Sequence, residues 1–191
     1  MKKKIFTLVF LLALSPLVWA QQPKVKDWFL GSYCGYGSQF FMTLPYNYSV
    51  FQVQTFAQKN IVQQVNWSLA LRLGVEFGLS WQEVTPSQKE KGIETGLHGG
   101  LFLNRKIIKH LSLMLGLSIG PHYVNMTPDR QIPGFIFSDN LHLGFSYQAT
   151  PNLALTLSSN FRHISNANIA APNGGVNTLF FHVGMLQNMN L

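Results

Sequence analysis

The stretch from Trp67 to Trp81 constrains the fold more than any other part of the sequence. Its odd positions read Trp67, Leu69, Leu71, Leu73, Val75, Phe77, Leu79 and Trp81, and its even positions read Ser68, Ala70, Arg72, Gly74, Glu76, Gly78 and Ser80. A period of two puts each set on its own face of a β-strand. The split recurs in Leu111, Leu113, Leu115, Leu117 and Ile119 against Ser112, Met114, Gly116 and Ser118, and in Leu141, Leu143, Phe145 and Tyr147 against His142, Gly144 and Ser146. A water-soluble sandwich would put Lys, Glu and Thr on its polar face. Here that face carries Gly, Ser, Ala and isolated His, Arg and Glu. Small and network-forming side chains suit the cramped lumen of a narrow barrel, and leucines and aromatics suit an exterior that meets lipid. Closure leaves no edge strand, so every backbone polar group can pair inside hydrocarbon. The expectation is an all-β chain folded as an eight-stranded antiparallel transmembrane β-barrel of outer-membrane type. Its strands fall near residues 28–38, 48–57, 66–82, 92–104, 109–120, 138–148, 153–165 and 177–187.

The N-terminus agrees with that destination. Lys2, Lys3 and Lys4 precede an apolar run from Ile5 to Leu14 and a Val18-Trp19-Ala20 end, the pattern of a cleavable signal peptide over residues 1–20. The run is too short to span a bilayer as a helix, which takes about 20 residues. Residues 21–191 then form one barrel domain. Of the 14 Lys and Arg, three belong to the leader, against 7 Asp and Glu in the whole chain. The mature protein is therefore only mildly basic, which gives no support to nucleic-acid binding. Cys34 is the single cysteine, so it supplies neither a disulfide framework nor a metal set. The histidines show no compact ligand spacing, and no metal or cofactor is expected. Arg72, Glu76, Glu94, His98, His110, His142 and His182 have inward parity and read as partners in a polar lumen, with Trp67, Trp81 and Tyr147 in the interfacial belt.

Connections after strands one, three, five and seven are the longer ones in this reading, as in barrels with long extracellular loops and short periplasmic turns. Strand seven then ends at the outer surface. Its apolar parity runs Leu153, Leu155, Leu157, Ser159, Phe161 and on to His163 and Ser165, while the apolar parity of strand eight, extended backwards, reaches Asn177. Polar groups on a lipid-facing stripe cost free energy unless they are used or wetted. With Ser165 paired near Asn177, His163 comes within diagonal reach of Asn177. A serine hydroxyl needs a base to take its proton and a third group to hold the imidazole in the useful tautomer. Ser165, His163 and Asn177 can supply those parts. Asp139 has the same parity near the outer end of strand six, expected opposite Phe161, and is an alternative partner for His163. The competing reading is a non-catalytic small barrel with a structural, adhesion or binding role.

The stretch Phe161-Arg162-His163-Ile164-Ser165-Asn166-Ala167, followed by Pro172-Asn173-Gly174-Gly175-Val176-Asn177, resembles the signature of the lipid A 3-O-deacylases, the PagL-like outer-membrane esterases. The resemblance implies a serine hydrolase in the cell outer membrane, with its site towards the outer leaflet. Such an enzyme acts on lipid A of lipopolysaccharide and removes the acyl chain esterified at position 3. It makes Ser165 the nucleophile and His163 the base, with Asn166 and the backbone donors of Ala167 and Asn168 as candidates to stabilise the oxyanion. No cofactor is implied, and a homodimer is left open. At the position of Asn177 the family pattern has a glutamate. A neutral amide stabilises an imidazolium less than a carboxylate does, although Cys-His-Asn enzymes work with an amide in the third place.

Overall fold

The structure, a computed structural model, describes residues 28–41, 47–85, 88–127 and 129–189; the expected signal peptide lies outside the described residues. The chain forms strands β1 (Trp28–Gln39), β2 (Asn47–Gln63), β3 (Trp67–Thr85), β4 (Gln88–Ile108), β5 (Leu111–Val124), β6 (Gly134–Thr150), β7 (Leu153–Ser165) and β8 (Val176–Asn188). Each pairs antiparallel with the next, and β1 pairs with β8 from Phe29↔Asn188 to Gln39↔Thr178, which closes the ring.

The parity in the sequence becomes an inside and an outside. Leu71, Leu73, Val75, Phe77 and Leu79 of β3 are all exposed, as are Leu115, Leu117 and Ile119 of β5, Leu141, Leu143 and Phe145 of β6, and Phe181, Val183 and Met185 of β8. A barrel whose exterior is this apolar on every side is solvated by hydrocarbon. The opposite parity is buried, with Val50, Val124, Ile136, Ile164, Val176 and Phe180 packed in one apolar cluster and a polar network beside it. His122 sits between Glu76 (Nδ1–Oε1 2.6 Å) and Glu94 (Nε2–Oε2 3.3 Å), and Glu94 also receives Arg162 Nη1 at 2.6 Å and the Tyr48 hydroxyl. Gln52 and Gln54 donate to the second oxygen of Glu76 at 3.0 and 3.2 Å. Arg72 lies on the rings of Phe102 (3.6 Å) and Phe56 (3.9 Å) and donates to Gln58. Buried charges persist only when paired or hydrogen-bonded, and Glu76, Glu94 and Arg162 are held by such pairs. Arg162 matters most for position: its side chain enters the lumen, which turns its neighbour His163 outward.

Strand ends differ from expectation, most at β2, which runs on to Gln63 rather than stopping near residue 57, and three further details differ as well. The connection after the third strand is short, because β3 and β4 run on as a ribbon to Thr85 and Gln88, tied by Lys89–Glu83 at 3.0 Å. His110, expected in the lumen, lies exposed in the β4–β5 turn. Finally, β6 continues to Thr150, leaving only Pro151 and Asn152 in the turn. That shorter turn sets the register of the two strands that carry the site.

Candidate active site

The register places the candidate residues more closely than parity alone implied. His163 stands directly opposite Asn177 on one side and directly opposite Asp139 on the other. Asp139 was expected across from Phe161, but the tight β6–β7 turn pairs Phe161 with Leu141 and moves Asp139 onto His163. Asn177 likewise faces His163 rather than Ser165. A single rung therefore crosses four strands in the order Ile119, Asp139, His163, Asn177.

Directly opposed residues have Cβ atoms about 4.5–5.5 Å apart, close enough for side chains to bond. His163 Nδ1 and Asn177 Oδ1 are 2.7 Å apart. An amide oxygen only accepts, so Nδ1–H is the donor and, in the neutral ring, Nε2 keeps its lone pair. This is the tautomer a general base needs. The Cε1–Nε2 edge of the ring lies against Gly175: a Cβ there would fall 2.5 Å from Cε1 and 3.0 Å from Nε2. Gly175 is also in the left-handed region, at φ 63°, so two independent constraints reserve this position for glycine. The β7–β8 ladder ends at Ile164↔Val176, and one further step of the same register sets Ser165 beside Gly175. The free edge of the imidazole thus leans towards the row that holds Ser165. Ser165 is half-buried on the same stripe, and its hydroxyl makes no hydrogen bond among the described residues.

After Ser165 the chain leaves the sheet abruptly. Ala167 and Asn168 are both left-handed, at φ 53° and 64°; asparagine tolerates this, whereas for alanine it costs roughly 1–2 kcal/mol. Asn166 is buried, its N–H donating to Asn173 Oδ1 (2.8 Å) and its side-chain amide donating to Ala170 O (2.7 Å). Both of its donors therefore serve the loop. Ala167 and Asn168 follow in an exposed turn. Asn173, to which sequence reasoning gave no role, also donates to Asn168 Oδ1 (2.8 Å), so it grips both ends of this turn. Its place in the Pro172-Asn173 part of the motif was the available signal.

A groove of about 500 Å³ opens on the barrel exterior beside this patch. Gly99 and Leu101 of β4, Leu117 and Ile119 of β5, Leu141 of β6 and Phe161 of β7 line it, and His163 and Asp139 border it. Two adjacent rungs explain its shape. Gly99, Ile119, Asp139 and His163 form one, and Leu101, Leu117, Leu141 and Phe161 the next. From β4 to β7 is three strand spacings, about 14 Å. Gly99 falls where the outward parity of β4 would otherwise bring a large side chain, between Leu97 and Leu101. Its missing side chain deepens the far end. Among the described residues, no group of three or more His, Cys, Asp or Glu is disposed to hold a metal.

A serine hydroxyl one step along the stripe from an imidazole held in one tautomer, beside an apolar furrow, is an arrangement that can serve acyl transfer at a membrane surface. Comparison with known proteins gives this arrangement a context. The structure is similar to that of Neisserial surface protein A, with a TM-score of 0.59 at 12% identity over 85% of this chain and 97% of that one. It is equally similar to the outer membrane enzyme PagL, with a TM-score of 0.58 at 13% identity over 81% of this chain and 97% of that one. At such identities the likeness speaks for the fold. No curated protein matches the sequence. Residues 57–186, which carry the last part of β2 from Ala57 and all of β3 to β7 together with nearly all of β8, match the family model of lipid A 3-O-deacylase (PagL). The chain is an outer-membrane β-barrel that belongs to the lipid A 3-O-deacylase family.

Proposed function

We propose that this protein is a serine esterase that hydrolyses the ester-linked acyl chain at the 3-position of lipid A, working at the outer leaflet. The observation that carries the reading is the 2.7 Å bond from His163 Nδ1–H to Asn177 Oδ1, made on the lipid-facing stripe one step from Ser165. A polar pair held on a face that otherwise meets hydrocarbon is costly unless it is used.

On this reading each group has a step to perform. The sugar-linked ester lies at the rim with its acyl chain in the groove, and Ser165 Oγ attacks the carbonyl carbon as His163 Nε2 takes the hydroxyl proton. The tetrahedral oxyanion forms against the backbone N–H groups of Ala167 and Asn168. Collapse breaks the bond to the sugar oxygen, which leaves with the proton from Nε2. Water, deprotonated by the same nitrogen, then releases the fatty acid and restores Ser165. Asn177 holds the ring throughout, and the Asp139 carboxylate, on the neighbouring strand, supplies the negative charge that stabilises the imidazolium. Asp139→Asn is expected to lower turnover; if it leaves turnover unchanged while Asn177→Ala abolishes it, Asp139 has no such role.

The amide of Asn177, standing where the family pattern has a carboxylate, favours a second reading, a barrel that has kept the scaffold and lost the activity. One experiment separates the two. Lipid A from cells expressing the wild-type chain is analysed by mass spectrometry beside lipid A from cells expressing Ser165→Ala. Loss of one hydroxyacyl chain with the wild type and none with the variant supports the esterase. Identical, fully acylated lipid A from both leaves the non-catalytic barrel.

A further inference from the structure

The loop between β5 and β6 packs against the loop that backs the site, and it does so through its backbone and the side chains of Arg130 and Gln131. Ile132 N–H donates to Pro172 O (3.1 Å), and Gly174 N–H donates to Arg130 O (2.7 Å). Arg130 Nη2 returns to Gly174 O at 2.5 Å. Between these, Gln131 forms an isolated β-bridge with Asn173, and its Oε1 accepts the N–H of Gly175 at 3.3 Å. Gln131 is only 2% exposed. Its side-chain amide donates to Ile132 O, and its backbone carbonyl accepts the Thr127 hydroxyl. A glutamine this fully engaged in a rim loop is held for its partner. That partner is Gly175, whose Cα lies against the Cε1–Nε2 edge of His163.

We propose that Gln131 is a positioning residue for the site: by fixing the backbone of Gly175, it holds the imidazole of His163 with Nε2 towards Ser165. Opposite edges of the ring are then clamped from two directions. Asn177 grips Nδ1 from within the sheet, and Gln131 acts through Gly175 from a loop some thirty residues away in sequence. The β-bridge to Asn173 lets the same loop steady the Ala167–Asn168 turn, through Asn173 and its bonds to Asn166 and Asn168. Base and oxyanion donors, which flank Ser165 where β7 ends, are thereby kept in one frame. The catalytic part of this proposal rests on the esterase reading, and the geometric part does not.

The test is Gln131→Met in the full-length barrel, which preserves length and removes the acceptor. Folding is checked first by heat-modifiable migration on gels. The Cε1–Hε1 resonance of His163, assigned among the 6 histidines by its loss in His163→Gln, is then compared with wild type, alongside kcat and KM on purified lipid A. The expected result is a displaced His163 resonance, kcat lowered about tenfold and KM within twofold. Should Gln131→Met not fold, Thr127→Val, which releases the Gln131 carbonyl, is expected to move the same resonance by less. An unmoved His163 resonance in a folded variant overturns the proposal, whatever the rate. A displaced resonance in a protein whose wild type deacylates nothing upholds the positioning role and removes the esterase reading instead.

Discussion

At the residue scale the question is what an amide does in the third place of a triad. Asn177 Oδ1 can receive the Nδ1 proton and so fix the tautomer, but it adds no charge when Nε2 becomes protonated. In serine proteases the loss of the triad carboxylate costs about ten-thousand-fold in turnover, largely through the wrong tautomer. Here the tautomer is already secured, so Asn177 lacks only the electrostatic share, which would fall to Asp139 on the neighbouring strand. Asn177→Glu should therefore raise kcat, by about tenfold or more, in single-turnover assays on purified lipid A. Asn177→Ala, which frees the ring as well, should lower it by about a hundredfold. If Asn177→Glu is slower than wild type, the site is tuned to its amide and the electrostatic account is wrong.

At the scale of elements, the groove makes β4 a part of the site although it carries none of the reacting groups. Gly99 is the outward residue of β4 on the His163 rung, and a Cβ there would meet only Leu73 Cδ2, at 3.1 Å. Gly99→Leu should be accommodated by the barrel and should fill the far end of the groove. Each methylene denied burial is worth about 0.8 kcal/mol. The expected outcome is a fall of about tenfold or more in kcat/KM on lipid A, with hydrolysis of a short acyl ester changed less than twofold; equal losses on both substrates would place the acyl chain elsewhere. Strand parity made β3, β5 and β6 legible in the sequence, because period two survives any error in the strand ends. It also put His163, Ser165 and Asn177 on one face. Parity does not count residues in turns, which is why Asp139 was expected opposite Phe161 instead of His163. The roles of Gln131 and Asn173 were hidden for a different reason. They act by hydrogen bonds between two loops, and no periodicity in the chain signals that the loops touch.

At the scale of the whole molecule, an apolar exterior and an ionic interior place the site on the thin wall between two environments. His163 and Arg162 are successive residues facing opposite ways, one towards lipid and one into the pair with Glu94. The lumen therefore anchors β7 directly beneath the proposed site. Removing one partner of a buried pair leaves an uncompensated charge and typically costs 3–5 kcal/mol, whereas replacing both is often close to neutral. Arg162→Met should accordingly lower the stability of the barrel by about that amount, read as a shift in the urea midpoint by tryptophan fluorescence in lipid vesicles. Combining it with Glu94→Gln should recover most of the loss. The folded fraction of the double variant, with Asn177, Gly175 and Gln131 intact around His163, is expected to keep kcat within about threefold of wild type. A double variant that regains stability while staying inactive would show that the Arg162–Glu94 pair sets the angle of β7, and not merely its hold on the barrel.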